Sequence, residues 1–374
     1  MKKILLIAVA VLTTAAVNAK VWRVNPNEDA KADFLSLTAA CESEDVEQGD
    51  TLYCEPGSYA EQQRITKKKI TILGPGWGFK NNIGSTGNSA EARFTDGLLL
   101  LTDSFTIAGL WVSNIHFNSG GKMVTIERCH VGCITGGGEF RNIDIRNNFF
   151  DPVNVRAAIN IDAGSNYIAN VSIENNIVFV NKTGDYSHEN GGQIILYSTE
   201  PTKISAVIAH NTVVGNYSNY YNVPAVVATH SVIRDNIFIN LNKSESDSYV
   251  LNFDAAMGTN QVYNNVFSIN QEKVDAKVLN EYGASNFFVS ATLENTFTCT
   301  KVEDAEETFF YLKEGSVAKN KAFQGEDCGA FAGGWPYVVY CRPLGLPYIY
   351  DVVVPNYTSG NEMTISFKVK ANNQ

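Results

Sequence analysis

An all-β solenoid, the parallel β-helix, is the fold class that this 374-residue sequence predicts. Three observations carry it. An Asn flanked by apolar residues recurs through the middle of the chain, each copy sits in strand-like alternation, and no interval between copies holds an amphipathic helix of 10–15 residues. The copies are Ile145-x-x-Asn148-x-Phe150, Ile173-x-x-Asn176-x-Val178, Ile208-x-x-Asn211-x-Val213, Ile233-x-x-Asn236-x-Phe238 and Val262-x-x-Asn265-x-Phe267. Their Asn residues lie 28, 35, 25 and 29 positions apart. Earlier copies, read as Ile126-Cys129-Val131 and Val112-Ile115-Phe117, replace the Asn.

Composition agrees with a packed β protein: 44% hydrophobic, 11% aromatic and 18% charged residues exclude disorder. A net charge of −10 is the reverse of a nucleic-acid-binding balance, so no nucleic-acid partner is expected.

Residues 1–19 form the first element. Met1-Lys2-Lys3, the apolar run Ile4 to Leu12 and the small-residue ending Val17-Asn18-Ala19 predict a signal peptide cleaved after Ala19. The run is too short to cross a bilayer, which needs about 20 residues, and no later segment is apolar enough, so no transmembrane segment is expected. Loss of Lys2 and Lys3 leaves 27 basic against 39 acidic residues, a net −12. The expected location is secreted, periplasmic or at the cell surface.

Residues 20–48 come next. Ala32, Leu35, Leu37, Ala39 and Ala40 suit a short amphipathic helix within 29–44. Solenoids need such covers, because an open end exposes strand edges and raw core. Residues 49–337 carry the repeats. Buried amides without partners would cost about 1–3 kcal/mol each. Asn residues stacked about 4.8 Å apart bond to one another instead, forming an internal ladder. A second apolar strand precedes most copies, at Ile159-Asn160-Ile161, Ile194-Ile195-Leu196, Val226-Val227-Ala228 and Leu251-Asn252-Phe253. In residues 338–374, alternation over Tyr348–Val353 and Met363–Val369 around Asn356–Asn361 predicts a β-hairpin.

Two further motifs carry a resemblance. Gly49-Asp50-Thr51-Leu52-Tyr53-Cys54-Glu55-Pro56-Gly57-Ser58-Tyr59, followed by Ile70-Thr71-Ile72-Leu73-Gly74-Pro75-Gly76, is one. Phe310-Tyr-Leu312-Lys313-Glu-Gly315-Ser316-Val-Ala318, with Asp327-Cys-Gly329-Ala-Phe331-Ala-Gly333-Gly334 and Pro336-Tyr337, is the other. With the Asn repeats, they resemble secreted bacterial right-handed parallel β-helix proteins of the pectate-lyase-like superfamily over about residues 49–337. The resemblance implies a right-handed helix of about 9–10 coils, a capping helix over the first coil and Cys41 beside Cys54 as a candidate disulfide. Seven cysteines leave at least one thiol unpaired. Such folds host lyases, hydrolases, epimerases and non-catalytic proteins, so fold alone does not give a reaction.

In that superfamily the Asn turn joins the second and third strands of a coil, and active members use a groove formed by the next strand, the first, and the loops preceding it. Carried over, the groove positions are Asn160, Asp162, Ile195, Tyr197, Val227, Thr229, Asn252 and Asp254, with loops about 151–157, 181–192, 214–224 and 240–249. The loops carry Arg156, then Tyr186, His188 and Glu189, then Tyr217, Tyr220 and Tyr221. Asp162 and Asp254, three coils or about 14 Å apart, are too distant for a glycosidase pair. Ile195 and Val227 stand where Ca²⁺ ligands would be needed. Tyrosine faces suit sugar C–H surfaces. Tyr186, Tyr197, Tyr220, Tyr221, Asn160, Asp162, Asn252 and Asp254 are therefore the expected substrate-binding residues. The expectation is a monomer that binds extracellular polysaccharide, with no cofactor or metal site evident. The alternative is a β-eliminating polysaccharide lyase using Arg156, His188 and Glu189 on a uronate, for which Ca²⁺ would be the cofactor. The third class, a structural or adhesive module, predicts a plain surface along the stack.

Overall fold

The computed structural model describes residues 19–77, 91–152, 157–180, 193–215, 225–241, 259–274, 276–298 and 310–338, with the backbone of 347–353 and 366–371. Among the described residues, ten strands form one sheet and fifteen form another, and every pairing within both is parallel. Two long all-parallel sheets are consistent with a parallel β-helix. The chain alternates between them: Gly120–Glu127 lies in the first, His130–Gly137 in the second, Glu139–Arg146 in the first and Phe149–Phe150 in the second. No helix among the described residues is long and apolar enough to cross a membrane.

The inward residues of both sheets fill one apolar core, which includes Ile145, Phe150, Ile173, Val178, Ile208, Val213, Ile233, Phe238, Val262 and Phe267. The Asn ladder runs beside them. Asn148, Asn176, Asn211, Asn236 and Asn265 are all 0% exposed. The backbone N–H and the side-chain Nδ2 of Asn176 both donate to Asn211 Oδ1, each at 3.0 Å, while Nδ2 also reaches the Ile145 carbonyl at 2.8 Å. The same set recurs from Asn148 to Asn176 and from Asn211 through Asn236 to Asn265. Each amide thus saturates its donors and acceptor on the neighbouring repeats, which removes the burial penalty.

Sequence reading missed two parts of this device. The ladder has a sixth member, Asn286, whose Oδ1 accepts both donors of Asn265 at 3.0 and 2.9 Å. The residue before each of the five repeat Asn positions, and before Cys129, is left-handed: Arg128, Asn147, Asn175, His210, Asp235 and Asn264 have φ between 52° and 58°. Asn tolerates that conformation best among residues with a side chain, which explains the Asn-Asn pairs. One register expectation is corrected. Val112 pairs with Val131, and Ile107 with Ile126, so the copy preceding Ile126-Cys129-Val131 is Ile107-Leu110-Val112. Ile115 and Phe117 lie further along the same strand, Trp111–Phe117, on its inward face.

The expected helix within 29–44 is shorter, Leu37–Glu42, and leaves Ala32 and Leu35 outside it. Phe34 is drawn into strand-like bonds with Arg23 and Asn25, and Ser36 then starts the helix by accepting the Ala39 N–H. The helix lies along the edge strand Gln63–Ile65, where Thr38 Oγ1 takes the Arg64 N–H at 2.9 Å. Nearby, buried Asp50 accepts from the Trp22 indole at 2.8 Å and from the Lys20 and Glu47 backbone N–H groups at 2.8 and 2.9 Å. Burial would raise its carboxyl, but these donors hold it below the usual carboxylate range. The Cys41–Cys54 disulfide is not formed: both are free thiols packed in the apolar core, and burial pushes both up.

A second apolar cluster lies outside the second sheet. Phe149, Ile177, Phe179, Val214, Ile237, Ile239 and Val266 face outward, yet Ala291, Leu293 and Phe297, with Phe310, Ala330 and Tyr337, cover them. Phe310 sits at its centre, with ring centroids 5.2 Å from Phe179 and 5.3 Å from Phe297. The covering segment is pinned to the left-handed turns. Asn175 Nδ2 donates to the Ala330 carbonyl at 2.9 Å, Asn147 Nδ2 to the Trp335 carbonyl at 3.1 Å, and Asp235 Oδ1 accepts the Phe323 N–H at 3.0 Å. Asp235 also takes the Arg234 guanidinium and lies 3.5 Å from His210 Nε2. Burial, opposed by Asp235, pushes the His210 imidazole down. Gly329 and Gly333 are required here. Both have positive φ, and a Cβ would stand 2.7 Å from Ile237 Cδ1 or from the His210 ring.

At the end of the chain, Pro347–Val353 and Ser366–Ala371 pair antiparallel, Val352 opposite Phe367, as the alternation predicts. Met363 and Asn356–Asn361 lie outside the described residues.

Candidate functional site

Alternation with period two decides which side chains the second sheet presents outward. Ile159, Ile161, Ile194 and Leu196 point into the core, so Asn160, Asp162, Ile195 and Tyr197 point out. Register then fixes their neighbours. Asn160 pairs with Ile195 and Asp162 with Tyr197 on adjacent parallel strands, about 4.8 Å apart. Asn160 and Asp162 are exposed, and Tyr197 is 43% exposed. The structure therefore brings these three expected residues together on one open face. One Asp162 carboxylate oxygen is occupied by the Gly164 N–H at 2.9 Å. Thr229 is a correction. It is buried, and its hydroxyl donates to the Pro201 carbonyl at 3.4 Å instead of facing a groove.

The same outer row continues past the residues the sequence singled out. Thr135 pairs with Asn160, His116 with Thr135, Leu99 with His116 and Arg64 with Leu99. His116 Nδ1 lies 2.9 Å from Thr135 Oγ1, and Thr135 Oγ1 and Cys133 Sγ lie 3.5 and 3.6 Å from Asn114 Oδ1. Burial pushes the Cys133 thiol up, which favours its protonated form. Sequence reasoning missed His116 and Thr135. The signal was present in the triplets Ile115-His-Phe117 and Ile134-Thr-Gly136, which match Ile159-Asn-Ile161.

Where the connections attach is also defined. Phe179 stacks on Val214, Ala157 on Gln193 and Ile194 on Val226. The described residues that follow 153–156, 181–192 and 216–224 lead into the strands Ala157–Asp162, Gln193–Tyr197 and Val226–Val227, the first two of which carry Asn160 and Tyr197. Arg156, Tyr186, His188, Glu189, Tyr220, Tyr221, Asn252 and Asp254 lie outside the described residues. Asp151, at the head of the first connection, is a half-buried carboxyl pushed up by burial. Between Tyr197, Thr229 and Pro201 is a crevice of about 10 Å³, room for roughly one water. Among the described residues, no three His, Cys, Asp or Glu side chains converge as metal ligands would. The arrangement offers an exposed aromatic face, an acceptor carboxylate and an amide along a straight row. That set can hold a hydroxyl-rich chain.

Comparison with known protein families, with curated proteins and with solved structures finds no match to this chain.

Proposed function

We propose that this chain is an exported right-handed parallel β-helix that holds extracellular polysaccharide along the outer row from His116 to Tyr197. In this reading residues 1–19 are a signal peptide, residues 20–48 close the first coil and residues 49–337 form the helix. The observation that carries it is the in-register, exposed pair Asp162–Tyr197 with Asn160 on the same face. A tyrosine ring stacks on sugar C–H groups while carboxylate and amide take hydroxyls. In this reading Tyr186, Tyr220 and Tyr221 supply further rings to the same ligand. The long row favours a polymer over a small ligand.

Glycan-array retention of the full chain tests this. Tyr197→Ala should weaken binding to the retained glycan about tenfold, the loss of one stacking contact, and Tyr220→Ala with Tyr221→Ala should add to it. Unchanged retention in all three variants would reject the groove. Incubation with uronate polymers, with and without Ca²⁺, reads the catalytic alternative through ultraviolet absorbance of unsaturated product. Product that is lost in Arg156→Ala or His188→Ala would make the chain a lyase.

A further inference from the structure

We propose that the N-terminal end of the second sheet carries a separate binding site for a single neutral sugar unit, with Arg64, Glu42 and Glu61 as its polar contacts. A cavity of about 590 Å³ opens there between the helix Leu37–Glu42 and the segment 58–64. That volume lies in the range of small-molecule sites. Its walls combine three kinds of group. Arg64 offers guanidinium donors, Glu42 and Glu61 offer acceptors, and Leu35 with Pro26 offers an apolar patch. None of the three charged residues has an ion-pair partner among the described residues, so their polar groups are open to a ligand.

The walls are held before any ligand arrives. Buried Gln63 ties the two sides: its Oε1 accepts the Thr38 N–H at 3.2 Å, and its Nε2 donates to the Ala60 and Glu61 carbonyls at 3.3 and 3.2 Å. Glu61 keeps a left-handed backbone, φ 70°, with its N–H donated to Asp96 Oδ2 at 2.9 Å. Fixed donors and acceptors lower the ordering cost of binding.

The chemistry selects the ligand. Vicinal hydroxyls donate to carboxylates and accept from a guanidinium, and a sugar's C–H face fits the Leu35–Pro26 patch. Two carboxylates against one guanidinium, in a chain of net −10, oppose a uronate. The cavity lies beyond the end of the proposed row: Arg64 stands two strand steps from His116 and four from Asn160, about 10 and 19 Å at strand spacing.

Saturation-transfer NMR and calorimetry on the full chain, with D-mannose, D-galactose, D-xylose and D-galacturonate as probes, test this. At least one neutral sugar should bind saturably, and galacturonate should not. Arg64→Ala and Glu61→Gln should each weaken the neutral sugar about tenfold, the loss of a hydrogen bond to a charged group. Tyr197→Ala should leave that monosaccharide unaffected. Arg64 and Glu61 are exposed, so an unchanged thermal unfolding curve will show that the variants fold. Failure of every neutral sugar to saturate, tighter binding of galacturonate, or indifference to both substitutions would overturn the proposal. Loss of polymer retention in Tyr197→Ala alone concerns only the groove.

Discussion

Asn211→Ala will destabilise the fold by about 3–5 kcal/mol, far more than the loss of a surface amide. Asn211 Oδ1 accepts from both the backbone N–H and Nδ2 of Asn176. Its Nδ2 reaches the Ile173 and Ala209 carbonyls and Asn236 Oδ1. Alanine therefore strands buried groups on both neighbouring repeats, where no water can replace the lost partner. Asn211→Asp should not rescue it, since the acceptor survives but the donors are lost and a charge is buried. Asn286→Ala should cost less: Asn265 loses its acceptor and the Val262 and Tyr282 carbonyls lose a donor, but Asn286, the last described member, bonds to no further ladder Asn. Urea denaturation followed by circular dichroism will rank the three, and equal midpoints for Asn211→Ala and Asn286→Ala would contradict the ladder account.

Phe310→Ala will release the covering segment without melting the stack. Phe310 is 1% exposed and packs on Phe149, Phe179 and Phe297. A Phe→Ala change at such a site costs about 3–5 kcal/mol. The loss falls on the outer cluster, whose residues are separate from the inner core. The amides of Phe323, Gly329 and Ala330, which donate to Asp235 and Thr212, should lose hydrogen-exchange protection. Those of Asn176, Asn211 and Asn236 should keep theirs. Uniform loss of protection would mean that the cover and the ladder fold as one unit.

The ladder was legible because each Asn carries an apolar residue three positions before and another two after, a spacing that only inward-facing positions would keep. Asn286 escaped because Gly283 stands where the first apolar residue should be, although Phe288 keeps the second. The same weakness misplaced Val112-Ile115-Phe117: Val112 and Phe117 are both buried and inward in the strand Trp111–Phe117, so apolarity alone could not choose between two registers five residues apart. The covering segment was missed for a different reason. Ile177-Val-Phe-Val180 and Ile237-Phe-Ile239 are unbroken apolar runs, the mark of a strand buried on both faces, and the reading used only their inward half.

At the candidate site, alternation sufficed for Asn160, Asp162 and Tyr197, since one residue of register fixes the face of a whole strand. Thr229 failed because alternation says nothing about what crosses the face. The Pro201–Lys203 turn lies over it, and that turn has no repeat signature. Arg64 and the cavity beside it depend on how the helix Leu37–Glu42 meets the edge strand. That is tertiary packing, with no local pattern to announce it.

The side-chain amides of the ladder define the stacked interior. Nuclear magnetic resonance of the labelled chain should show Nδ2 protons of Asn148, Asn176, Asn211, Asn236 and Asn265 exchanging slowly with solvent. Each should show a through-space contact to the next Asn of the series. Fast exchange at Asn176 and Asn211, with no contact between them, would contradict the stacked interior.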